Sequence, residues 1–94
     1  MFEWDPRKAE ANTAKHGVSF DEAVTVFLDG YALDGPDLQH SKAERRFLRL
    51  GRAAAGRVLM VAYTLRRSGD AETIRIISAR RANRRERAAF SAKD

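Results

Sequence analysis

Two apolar runs, RVLMVAYTL at residues 57–65 and TIRIISA at 73–79, do most to limit what this chain can become. Both are rich in β-branched residues, and the spacer RRSGD between them is short enough for an antiparallel hairpin. RRFLRLG at 45–51 joins the first run through RAAAG in the same way, so three strands are predicted side by side. YALDGPD at 31–37 is a weaker strand, and Pro36, which cannot donate to a ladder, marks it as an edge. A short extended segment is predicted over residues 2–5.

Helices occupy the remainder. Asp5 followed by Pro6 is a carboxylate cap with proline at the first helical position, and Gly17 is placed to end that helix after His16. Ser19 and Glu22 read as a capping box, with Val18 able to staple onto Ala23. Phe20, Ala23, Val24, Phe27 and Leu28 then form a core-facing helical stripe, closed by Asp29-Gly30. Asn83, with Glu86 three residues on, caps a last helix whose body runs from Arg84 to Ala92. The order is β-α-α-β-β-β-β-α, and 94 residues suffice for a single domain over 1–94. The expected class is α+β, a two-layer domain with helices packed on one face of an antiparallel sheet.

The chain has no cysteine, which excludes disulfides and thiolate metal sites. No apolar stretch nears the roughly 18 residues of a membrane span, so a cytoplasmic protein without membrane contact is expected. The net charge of +5 conceals an asymmetry. Residues 1–44 carry four basic and nine acidic side chains, whereas residues 45–94 carry fourteen basic and four acidic ones. All the basic residues of the second half except Lys93 are arginines, whose forked guanidinium suits bidentate phosphate binding. That bias points to a polyanionic partner, RNA or DNA.

Lys15 and His16 sit side by side at the first helix's end, where Gly17 leaves one flank uncovered. Two readings fit them: cations complementing the helix dipole, or a proton-transfer pair, since histidine titrates near neutrality. In IRIISAR, alternation puts Arg75, Ile77 and Ala79 on one face and Ile74, Ile76 and Ser78 on the other. Arg75 is then a charge within an apolar strand, either an ion pair with Glu72 or a neighbouring-strand acid, or a phosphate ligand. Arg80 has the opposite parity and needs a bulge or turn to reach the same side. RRANRRER places five arginines within residues 80–87, a repulsive density that an anionic partner would relieve. His16 and His40 are the only histidines, and Asp34 and Asp37 form no recognisable ligand pattern, so no metal or cofactor is expected. Ser19 and Ser78 have local structural explanations. One histidine, one lysine and several arginines suit metal-free phosphodiester cleavage of RNA, whose 2′-hydroxyl is the nucleophile.

Four motifs in order, WD at 4–5, KHGVSF at 15–20, ERRFLRLG at 44–51 and RIISARRANRRER at 75–87, give the chain a family resemblance. From Trp4 to Phe90 it resembles the BrnT family, the toxins of BrnT/BrnA type II toxin–antitoxin systems. The resemblance implies a RelE-like fold and a metal-independent endoribonuclease that arrests translation. It also implies a cognate BrnA-like antitoxin, in a hetero-oligomer that binds operator DNA through the antitoxin. Matched by position, Lys15, His16, Arg75 and Arg80 become the catalytic set, with His16 in proton transfer and the cations on the scissile phosphate. The arginine density of RRANRRER, read by itself, makes Arg81, Arg84 and Arg85 the expected RNA contacts. Trp4 is expected to pack in the core. Phe90 stands where relatives often have tyrosine, and Phe47 where tryptophan is frequent. A different class stays open: an arginine-rich module that binds RNA or DNA without cutting it.

Overall fold

The computed structural model describes residues 1–91. In chain order the elements are β1 (Phe2–Glu3), α1 (Pro6–His16), α2 (Phe20–Thr25) running into a 3-10 turn (Val26–Leu28), β2 (Leu33–Pro36), β3 (Phe47–Arg52), β4 (Val58–Ser68), β5 (Ala71–Arg81) and α3 (Arg84–Ser91). The α+β class and the element order are those the sequence predicts. The central hairpin is longer than expected: Arg66, Arg67 and Ser68 continue β4, and only Gly69-Asp70 turns the chain, with Ser68 opposite Ala71.

Five strands form one sheet in the order β1-β5-β4-β3-β2. β2, with its Pro36, is an edge as its composition demands. The sheet is not wholly antiparallel, because β1 pairs parallel with β5, Phe2 opposite Ile74 and Glu3 opposite Arg75. The helix after β1 is the cause. α1 is anchored further along β5, where the Asn12 side chain bonds the Ala79 backbone, so the chain leaving β1 must advance in β5's own direction.

Helices also occupy both faces rather than one. α1 and α2 cover a core of Val18, Phe20, Ala23, Val26, Leu59, Val61, Tyr63, Ile76 and Ala79. The alternate residues of β3 and β4, among them Leu50, Val58 and Met60, are apolar as well and need their own cover. The chain leaving β5 supplies it: the Ala82 N–H donates to the Val58 carbonyl, and α3 then buries Phe90 on this second face.

The helix boundaries have local causes. The Asp5 carboxylate accepts from the Arg7 N–H, and Gly17 takes the left-handed conformation at φ 68° that closes α1. The Ser19 hydroxyl accepts from the Glu22 N–H, but the Glu22 carboxylate turns to Arg57, so only half of that capping box is built. Asn83 and Glu86 close theirs both ways, at 2.8 and 2.9 Å. Ala92, expected in the last helix, lies outside the described residues. The stripe predicted on α2 fails at its end, where Leu28 is 84% exposed and Val26 is buried instead. Tightening to three residues per turn lines Val26 up with Ala23 and swings Leu28 outward.

The alternation expected of IRIISAR is interrupted. Tyr63 faces Ile76 and Ala62 faces Ser78, so Ile77 is an extra residue, a β-bulge. Ala79 therefore turns into the helix-covered core rather than sharing Arg75's face. Arg75, Ser78 and Arg80, opposite Thr64, Ala62 and Met60, share the second face.

Candidate functional site

The bulge supplies the device that Arg80 needed to join Arg75. Both arginines already have carboxylate partners. Arg75 Nη1 donates to Glu3 at 2.7 Å, the acid lying on the neighbouring strand β1 rather than at Glu72. Arg80 forms a two-pronged pair with Glu86, at 2.8 and 2.9 Å, and Glu86 simultaneously caps α3. The Arg80 hydrogen bonds hold the Glu86 carboxyl below the ordinary glutamate value, against the opposing effect of burial.

α1 is fixed beside the bulge by one buried side chain. β1 covers β5 only at Ile74 and Arg75, which leaves β5's edge unpaired further on. Asn12 fills that gap: its Nδ2 donates to the Ala79 carbonyl at 2.8 Å, and its Oδ1 accepts from the Ala79 N–H at 3.1 Å. Nδ2 also donates to the Val18 carbonyl at 2.9 Å, tying down the corner after α1. Arg57 secures the same corner, donating to the Gly17 carbonyl at 3.0 Å and to Glu22. Its hydrogen bonds hold the Glu22 carboxyl below its ordinary value. The result is a groove in which Lys8, Lys15 and His16 face Ile77 and Ser78.

A second groove shares Ile77 and Ser78 and lies beside Arg80, walled also by Arg46, Asp37 and His40. His40 Nδ1 is 3.0 and 3.1 Å from the two carboxylate oxygens of buried Asp37. A carboxylate only accepts here, so Nδ1 carries the proton. Thus Lys15 and His16 stand on one side of the bulge and Arg80 on the other. Arg75 is further along the strand, against Thr64.

The other residues expected to meet RNA divide. Arg84 and Arg85 are exposed on α3, on the Arg80 side of the sheet. Arg81 is exposed too, but its register opposite buried Leu59 turns it toward the other face. Trp4 packs edge-on against Phe20, a core role, and Phe47 stacks on Tyr63. Burial and a hydrogen bond to Asp34 push the Tyr63 phenol up to about 12, which suits it to a structural part. Among the described residues no group of three or more histidine, aspartate or glutamate side chains is arranged to hold a metal ion. Sequence reasoning set His40 and Ser78 aside and gave Arg46 no role. The spacing of Asp37 and His40, three residues apart, was the one available signal.

The family model described as the ribonuclease toxin BrnT of type II toxin–antitoxin systems matches residues 4–86. The chain belongs to the BrnT family. The crystal structure of the Brucella abortus ribonuclease toxin BrnT superposes on it with a TM-score of 0.64 at 26% identity, over 89% of this chain and 99% of that one. Among curated proteins no sequence matches. As a BrnT chain it presents all four motifs of the resemblance within the described residues, and the matched span includes both grooves.

Proposed function

We propose that this BrnT chain is an endoribonuclease that cuts RNA without a metal ion and so arrests translation. The observation that carries the reading is the placement of Lys15 and His16 along the Ile77–Ser78 bulge, with Arg80 on its other side. RNA brings its own nucleophile, so the protein must supply proton transfer and positive charge at the phosphate. His16 serves proton transfer; Lys15, Arg75 and Arg80 bind the scissile phosphate. Arg75 gives Nη1 to Glu3, and its remaining N–H groups suffice for a phosphate. Arg81, Arg84 and Arg85 hold the flanking strand. The family's type II character supports a cytoplasmic partner antitoxin that neutralises the chain and carries the complex to operator DNA.

The test is cleavage of RNA by the purified chain in EDTA, with a DNA of the same sequence left intact. His16→Ala should slow cleavage by at least about 100-fold, the usual weight of a positioned acid or base. Activity lost in EDTA and restored by magnesium would sink the metal-free mechanism. Tight RNA binding with no cleavage under any condition would make the chain a binding module.

A further inference from the structure

Cleavage through the 2′-hydroxyl moves two protons, one off the nucleophile and one onto the leaving oxygen, and a single histidine cannot do both at once. The groove beside Arg80 holds the other histidine of the chain. We propose that His40, oriented by Asp37, is the general base of RNA cleavage, and that His16, across the Ile77–Ser78 bulge, is the general acid. This rests on the endoribonuclease reading above.

The Asp37 carboxylate is the deciding feature. Its side chain is only 9% exposed, while that of His40 is 61% exposed. Burying a carboxylate is unfavourable unless its hydrogen bonds are met, and both of its oxygens turn to His40 Nδ1. The loop needs no such contact to close. The Asp37 N–H donates to the Arg46 carbonyl at 2.8 Å, and Ser41 bridges the Asp37 carbonyl and the Arg46 N–H. The carboxylate instead fixes the tautomer: with the proton on Nδ1, Nε2 is left as an acceptor, and it has no hydrogen-bond partner among the described residues. A carboxylate behind the ring also stabilises the imidazolium that forms when Nε2 takes a proton. His16 stands across the bulge in the groove with Lys8 and Lys15, on the side left for the leaving oxygen.

The step balances. Nε2 of His40 takes the 2′-hydroxyl proton as the O2′–P bond forms. The P–O5′ bond breaks, and the departing 5′-oxygen receives its proton from His16. The products are a 2′,3′-cyclic phosphate and a 5′-hydroxyl, with Arg46 and Arg80 beside the phosphorus.

The experiment is single-turnover cleavage of an oligoribonucleotide by the wild-type chain and by His16→Ala, His40→Ala, His40→Gln and Asp37→Asn. Each is run on the ordinary substrate and on one whose 5′-bridging oxygen is sulfur, a leaving group that needs no acid. On the ordinary substrate His40→Ala and His40→Gln should each lose at least about 100-fold while remaining folded, with His40→Ala melting lower because buried Asp37 loses its partner. Asp37→Asn should lower the saturating single-turnover rate and leave the half-saturating enzyme concentration in place. On the sulfur substrate His16→Ala should recover towards wild type, and the His40 variants should stay slow. A folded His40→Ala that keeps pace with a cleaving wild type overturns the assignment alone, as does sulfur rescue of His40→Ala. A wild type that cleaves nothing overturns the endoribonuclease reading itself.

Discussion

Asn12 sits in the middle of α1, yet its side chain bonds the backbone of β5 and the corner after the helix. Asn12→Ala would leave the Ala79 N–H and carbonyl buried without partners, at about 1–3 kcal/mol for each unsatisfied group. The expected loss is therefore roughly 2–6 kcal/mol in urea unfolding. An Asn12→Ala chain as stable as wild type would show that water replaces the amide. None of this was readable in advance, because the partner lies 67 positions away. What was readable had partners close at hand. Asp5, Ser19 and Asn83 each cap within three residues, and Gly17 closes α1 from the next position. The pairing of Asp37 with His40 is just as local, but a three-residue spacing acquires chemical meaning only when Arg46, just ahead of β3, and Ser78 and Arg80, both on β5, surround it.

At the scale of elements, strand existence followed from composition, and facing did not. Alternation tells which residues share a face only while the ladder is regular. One inserted residue, Ile77, reverses the parity of everything after it in β5. The insertion is invisible in IRIISAR itself, since it depends on β4 having one residue fewer to offer. A related contact joins the 3-10 turn to β3. At Gly51 an added Cβ would come within 2.8 Å of the Ala32 Cβ and 2.9 Å of the Val26 Cγ1. Gly51→Ala should therefore destabilise the fold by about 1–3 kcal/mol, the usual range for overpacking. A melting temperature unchanged in Gly51→Ala would show that the turn shifts freely.

Over the whole molecule, the acidic first half and the arginine-rich second half turn out to be partners. Glu3 pairs with Arg75, Glu22 with Arg57 and Asp34 with Arg49. Glu22 and Glu86 are both held below their ordinary value of 4.5, chiefly by arginine hydrogen bonds. A lowered folded value means stability fully present above about pH 4.5 and lost as pH falls through the lowered values. Glu22→Gln should melt lower than wild type at neutral pH, and the gap should close in acid. A gap of constant size across that range would remove the ion pair from the account. Arg84 and Arg85 lie outside the salt bridges found among the described residues. Their contribution should appear in RNA binding, where each replacement flattens the slope of log affinity against log salt by roughly one. A slope unaltered by Arg84→Ala and Arg85→Ala would assign α3 to another ligand.

β5 is the element on which β1, β4, α1 and α2 all converge, and it is among the last to be made. Time therefore enters the structure. While the chain is being synthesised, β1 has no strand to lie against, Asn12 has no backbone to bond, and β4 lacks the longer of its two neighbours. Contacts of such long sequence separation form late and together. A molecule interrupted before residue 71 has its KHG segment and the Arg57 bond to Gly17, but no β5 for Lys15 and His16 to face.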